Sequence, residues 1–331
     1  MVDPEAVAAG VPKADLHVHQ ERSPRLDRIL AARERRVPLH WERWMREMAA
    51  ETPPGVARLR RMQSHFPAPL SADDDPGNVV ARIVDLLYES ARGGALLVEP
   101  RFGNETVLRP GFFSLLRLAT QEVASDFPDF VVAPVVAFKL GCPAAEIDLV
   151  LAECVRAARE DGLAGVDLLC EPYDEEADWR SGRRAAAALA DAGLGVTAHA
   201  GEFSTANLRG ALDLPGLKRI GHATHAPLDT EIIEAIAASG VTVECCITSN
   251  IVLGAIGSLD EHPLPAFLAA GIPVALGTDD PVELSTTIAR EYALAARLGL
   301  DGGQLTDLTR AAIRASFAPE AARAKLLAFV G

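Results

Sequence analysis

The stretch ADLHVH at 14–19 reads as a short buried strand ending on two histidines, and comparable runs recur seven more times along the chain. Most of the eight are apolar at successive positions, as in strands of a parallel sheet covered on both faces. The other seven are ALLVEPRF (95–102), VVAPVVAF (131–138), GVDLLCE (165–171), GVTAHAG (195–201), RIGHATH (219–225), VTVECCITS (241–249) and IPVALGTDD (272–280). Helical patterns fill the gaps at 145–160, 179–192, 230–239 and 285–298, and Gly162, Gly193, Gly240 and Gly299 close them. Eight strand and helix units in series predict an α/β fold, a (β/α)8 TIM barrel. The alternative, an open doubly wound sheet, would carry a glycine-rich phosphate loop after the first strand, where this chain has HVHQERS.

Residues 1–331 are expected to form one catalytic domain, since 49% apolar content supplies a large core. The gap at 21–94 is too long for a single crossover helix. Ser23-Pro24 predicts an N-cap and first position for a helix from about Arg25, a second helix is expected at 78–92, and 53–54 and 67–77 read as loops. An insertion after the first strand lies on the carboxyl rim of a barrel, so 21–94 is expected to form a lid or pocket wall. A net charge of -14 lacks the footprint of a phosphate-backbone binder, and Arg33, Arg35 and Arg36 read as a solvated helix end, so no nucleic acid partner is expected. Five cysteines without a Cys-x-x-Cys pair suit reduced thiols, and no apolar run approaches a membrane span. A cytoplasmic protein with no membrane partner is the expectation.

Polar clusters stand at the predicted carboxyl ends of the strands, where barrel enzymes keep their chemistry. His17 and His19 are two apart on a strand and so share a face; a structural histidine pair is the other reading of HVH. His199 and Asp279 add two ligand types from other strands, and a His3Asp set leaves room for water and suits Zn²⁺, with iron, cobalt or manganese able to use the same donors. Glu202, three residues after His199, stands where a proton donor is needed, or else serves a helix start. His222 ends the sixth strand, while His225 is expected in the loop and outside the site. Asp279 and Asp280 would point oppositely on a strand unless a bend near Pro281 turns both inward, and Asp280 could instead cap a helix there. Ser249-Asn250 reads as a turn, His262-Pro263 as a loop position, and Lys139 either as a carbamylated bridge for a second metal or as a solvated rim residue. One metal is the favoured count.

PKADLHVH (12–19), HAGE (199–202), RIGH (219–222), SN (249–250), HP (262–263) and TDDP (278–281) together resemble, in order, the motifs of the adenosine and adenine deaminases of the amidohydrolase superfamily. The resemblance implies a (β/α)8 barrel holding one Zn²⁺ through His17, His19, His199 and Asp279, with His19 also close to substrate. It implies that Glu202 protonates the ring nitrogen beside the reacting carbon and that His222 orients or deprotonates the attacking water. Asp279 would share that proton, and Asp280 would hydrogen-bond the far edge of a purine. The zinc ligands of the cytidine-type deaminases, H-x-E and P-C-x-x-C, are absent, so the cysteines are not expected to be ligands.

The chain departs from the family at the substrate end. Gln20-Glu21-Arg22 replaces the Leu-Asp-Gly of nucleoside-specific members, and the glutamate is similar to the adenine and aminodeoxyfutalosine deaminase branches. Cys170 replaces a glycine whose N–H would meet the purine, keeping the backbone donor but adding a thiol beside the ring. Arg22 would meet an anionic substituent or a neighbouring acid. The expected activity is hydrolytic deamination of an aminopurine base, nucleoside or related amino-heterocycle, a small-molecule partner, with release of ammonia. Hydrolysis of an amide or cyclic imide on the same barrel, and a non-catalytic metal-binding relative, are the alternatives.

Overall fold

The computed structural model describes residues 3–64 and 75–331. Nine strands, all parallel, occur among the described residues: β1 (Lys13–His19), β2 (Ala95–Gly103), β3 (Val131–Val132), β4 (Val135–Lys139), β5 (Gly165–Leu169), β6 (Gly195–Ala200), β7 (Leu217–His222), β8 (Thr242–Cys245) and β9 (Val274–Leu276). They follow one another around a sheet in chain order, with β3 paired only to β2. The predicted third strand is thus two pieces. Pro134 has no N–H to give the ladder, and the interruption falls at Ala133-Pro134.

The sheet closes between its first and last members. Beyond β9, Asp279 rejoins β1: its N–H donates to the His17 carbonyl (2.7 Å) and its carbonyl accepts from the His19 N–H (2.7 Å). Gly277 makes this approach possible, because a Cβ there would stand 2.4 Å from the Cβ of His17. The expected (β/α)8 barrel is therefore formed, with helices such as Ala144–Glu160, Arg180–Asp191, Thr230–Ser239 and Ile288–Arg297 outside it. Their apolar faces and the outward residues of the strands make the main core.

Two sequence expectations need correction here. The seventh strand stops at Cys245, and Ser249-Asn250 lies in a helix, Ile247–Val252, rather than a turn. The Thr248 N–H and hydroxyl are held by the buried Glu291 carboxyl, which anchors this helix start despite its β-branched residues. No helix starts at Pro281 for Asp280 to cap; the next one begins at Ile288, with Thr287 as its cap.

The 21–94 segment holds more helix than expected. Ser23–Glu34 begins at Ser23 itself, so Ser23 is not its cap, and Pro76–Arg92 is capped by the Asp75 carboxylate. Trp41–Glu51 and Val56–Ser64 are two further helices, packed together through Met45, Met48, Leu59 and Met62. The 53–54 loop is present, while most of the expected 67–77 loop lies outside the described residues.

Candidate active site

The barrel interior carries ionised side chains where many barrels stack aliphatic ones. Arg101 on β2 donates to Asp167 on β5 (2.7 Å) and to Glu244 on β8 (2.5 Å), and all three are fully buried. Arg219 on β7 donates to Glu244 (2.5 Å) and pairs with Glu99 on β2. Below them Phe317 seals the floor, its ring 3.5 Å from the Arg219 guanidinium and pressed against Gly165 and Gly195, where a Cβ would lie about 2 Å from it. Two guanidinium groups stand against three carboxyl groups in this network, so acids are in excess.

That excess faces the histidines. Glu244 accepts from His17 Nδ1 (3.0 Å) and Asp167 from His199 Nδ1 (2.8 Å). The arginines hold both carboxylates below the usual range against the opposing effect of burial, so they remain ionised acceptors. An ionised carboxylate can only accept, so both rings carry hydrogen on Nδ1 and turn the Nε2 lone pair toward the rim. Nε2 of His17 is buried and has no hydrogen-bond partner.

Asp279 reaches the same point from β9. Its Oδ1 stands 3.5 Å from His17 Nε2 and 3.4 Å from His19 Nε2, while Oδ2 accepts from the Ser249 hydroxyl (2.6 Å). Burial would raise its pKa, but the adjacent His17 and the other imidazoles around it hold it well below the ordinary range. Asp279 and His222 have positive φ angles, 61° and 65°, a left-handed backbone costly for residues with a Cβ. The turn at Asp279, rather than Pro281, brings both Asp279 and Asp280 onto the cavity wall.

Ligand atoms of His17, His199, His222 and Asp279 lie within 4.8 Å of one another, with His19 beside Asp279. The hydrogen bonds tell His222 apart from the other histidines. The Leu264 N–H donates to His262 Nδ1 (3.2 Å), so the hydrogen of neutral His262 is on Nε2 and points at Asn250 Oδ1 (3.4 Å). Asn250 then presents its NH₂ to His222 Nδ1 (3.2 Å), which places the His222 hydrogen on Nε2. Burial disfavours the imidazolium at both His222 and His262, keeping the relay neutral. A protonated Nε2 is a hydrogen-bond donor and not a metal ligand. With His222 a donor, His17, His19, His199 and Asp279 are the residues that could hold an ion, three imidazoles and a carboxylate of the kind that suits zinc. The orphaned Nε2 of His17 shows that these residues fit one.

Glu202 lies just beyond β6, buried, with Oε2 3.8 Å from His222 Nε2 and Oε1 without a partner. Burial, and then the nearby Asp279 charge, push its carboxyl well above the ordinary range. His225, expected outside the site, has its Nδ1 2.8 Å from the Glu202 carbonyl, so it supports the loop that carries this acid.

These groups open into a cavity of about 570 Å³. Glu21 and Asp280 line it, as does Lys139, exposed on the rim. Arg22 meets a neighbouring acid, Glu105 (3.1 Å). The thiol expected beside the substrate ring is not there: Cys170 belongs to the core with Sγ 3.5 Å from the Asp178 carbonyl, and Leu169 and Glu171 line the wall on either side of it. Sequence reasoning missed Glu283, which also lines the cavity, and the buried network of Glu99, Arg101, Asp167, Arg219 and Glu244. Charged letters inside otherwise apolar strand runs were the signal for the network.

A parallel barrel with this histidine and aspartate cluster at its carboxyl rim is the arrangement of the amidohydrolase class. The adenosine deaminase family profile matches residues 12–331, and the chain belongs to that family. It is 44% identical over 140 residues to an adenine deaminase of a Chelativorans species, covering 42% of this chain and 43% of that protein. It is 41% identical over 171 residues to an aminodeoxyfutalosine deaminase of Acidothermus cellulolyticus, covering 47% of each. The matched stretches thus span less than half the length of these curated relatives. The crystal structure of an adenine deaminase from Arthrobacter aurescens superposes with a TM-score of 0.76 over 97% of this chain and 98% of that one, at 25% identity. No helix among the described residues is long and apolar enough to cross a membrane.

Proposed function

We propose that the protein is a metal-dependent deaminase that hydrolyses the exocyclic C–N bond of an aminopurine or related amino-heterocycle and releases ammonia. The observation that carries this reading is Glu202, a buried carboxyl beside the imidazole cluster with one oxygen free of any hydrogen-bond partner and a pKa pushed upward by burial. An amide or imide hydrolase has less use for such an acid, whereas a ring nitrogen gaining charge during attack on the adjacent carbon needs one.

His17, His19, His199 and Asp279 would hold one Zn²⁺, which when bound supplies the Lewis acidity that makes water nucleophilic near neutral pH. His222 orients the attacking water by donating from Nε2, the hydrogen placed there by Asn250 and His262. Of the two roles implied by resemblance, orientation is the one its hydrogen bonds favour. Asp279 Oδ1 receives a proton from the water and passes it to the departing amino group, which leaves as ammonia, while Glu202 gives a proton to the ring nitrogen and recovers one from the added hydroxyl. Asp280 accepts a hydrogen bond from the far edge of the heterocycle. Residues of the 21–94 insertion form a wall of the pocket, since Leu59, Met62 and Gln63 line the cavity.

The test is a pair of variants assayed for ammonia release over adenine, adenosine, substituted adenines and guanine. Glu202→Gln is expected to keep the metal and lose turnover, and His17→Ala to lose both. Wild-type turnover in Glu202→Gln on the best substrate would remove the assigned proton donor.

A further inference from the structure

One wall of the cavity holds more acid groups than the deamination chemistry uses, since Asp280 alone of them has a task there. Glu21, Asp280 and Glu283, from the loops after β1 and β9, each place a carboxylate oxygen within 4.8 Å of the others. Two of Glu21's bonds are already made: Oε1 accepts the Glu283 N–H (2.8 Å) and Oε2 is 3.2 Å from Arg25. Arg25 is shared in turn with Asp85 and Glu89. The Glu283 side chain is different. It lines the cavity, its residue is 3% exposed, and its carboxyl has no hydrogen-bond or ion-pair partner among the described residues. A carboxyl that faces the cavity with no protein partner is open to a ligand that donates to it.

The sign of the missing partner follows from the surroundings. Among the described residues, eight acidic ones line the cavity against three basic ones, Arg22, Arg101 and Lys139. Arg22 is engaged by Glu105, Arg101 is locked into the floor network, and Lys139 is exposed at the rim. An anionic substituent would meet carboxylates with no guanidinium pair to receive it, whereas a cationic one would supply the N–H donors that three clustered carboxyl groups need. The acid wall belongs to the β1 and β9 side of the rim, while Glu202 rises from β6.

We propose that Glu283, together with Glu21 and Asp280, selects amino-heterocycles bearing a protonated amine or amidinium on the edge remote from the leaving amino group, and rejects those bearing phosphate or carboxylate there. The inference rests on reading the cavity as an amino-heterocycle site, so its test measures binding separately from turnover. The probes are adenines carrying an aminoethyl, a hydroxyethyl or a carboxymethyl arm on N7 or N9, with adenosine monophosphate as a fourth ligand. Their dissociation constants are measured by calorimetry on the zinc-loaded protein and on Glu283→Gln and Glu283→Leu.

In the wild type the better aminoethyl compound is expected to bind about ten-fold or more tightly than its hydroxyethyl match, with the two anions weakest. Both variants should lose most of that ratio while keeping the zinc content of the wild type. The proposal is overturned if the ratio survives in both variants, or if the wild type prefers an anionic ligand. It is equally overturned if the acid wall takes up a second equivalent of zinc that Glu283→Gln abolishes. An amine preference without ammonia release from any compound would sink the deaminase reading and leave this one standing; ammonia release without an amine preference would do the reverse.

Discussion

Glu244→Gln is the most informative single change in the barrel. The Glu244 carboxylate accepts four hydrogen bonds, from His17 Nδ1 and Arg101 on Oε2 and from Arg219 and Thr197 on Oε1. Glutamine keeps the shape but has one oxygen. Its better orientation leaves that oxygen with His17 and Arg101 and turns the NH₂ toward Arg219, breaking a buried ion pair at a cost of about 3–5 kcal/mol. His17 would then donate to a neutral amide, making Nε2 a poorer donor to a metal, an effect of about ten-fold in affinity, at the low end for partners of metal ligands. Urea unfolding of the metal-free protein measures the first quantity, and zinc competition against a chelator of known affinity measures the second. Glu89→Gln, in the partly buried pairs with Arg25 and Arg28, serves as a control that lowers stability without touching a candidate metal ligand. Unfolding free energy within about 1 kcal/mol of wild type, together with unchanged zinc affinity, would refute the argument that the charged floor sets up the ligands.

Gly277→Ala is expected to destabilise the protein by about 1–3 kcal/mol and to weaken metal binding together with it, since the new Cβ meets the Cβ and carbonyl of His17; unfolding and chelator titrations read both. Asn250→Asp removes the donor facing His222 and substitutes an acceptor, so the His222 hydrogen should move to Nδ1. Ring ¹⁵N chemical shifts would report the change, with kcat falling at full metal occupancy, and an unmoved tautomer would break the proposed relay. Burial would raise the Glu89 carboxyl, but Arg25 and Arg28 outweigh it and hold it below its ordinary value. A depressed folded pKa contributes stability above the unfolded value that is lost as pH falls below about 4, so Glu89→Gln should show a shallower acid loss of stability than wild type.

The barrel and its candidate ligands were legible because these residues stand at strand ends, where turn residues punctuate the chain and short motifs keep fixed spacing. The floor network was written in the same strands, as Glu99 and Arg101 in one run, and Asp167, Arg219 and Glu244 in others. Its pairings span 66 residues for Arg101 with Asp167 and 143 for Arg101 with Glu244, and local periodicity carries no information at that range. The helix at Ile247–Val252 escaped detection because a buried acid 43 residues further on, Glu291, overrides the β preference of Ile247 and Thr248. In the 21–94 segment the spacing of Trp41, Met45 and Met48 was a readable helical face, masked by the loops around it. The left-handed backbone at His222 and Asp279 has no counterpart in residue type, since neither position is a glycine.

The meeting of Asp279 with β1 bears on how the fold comes apart. Its backbone joins the last strand to the first, and its side chain is offered to the same ion as His17 and His19 on that first strand. An ion held there would act as a clasp across the two ends of the sheet, so that releasing it and opening the seam become one event. Amide exchange at His19 and Asp279 should then slow with metal concentration, while exchange at the β4 and β5 pairing stays largely unaffected.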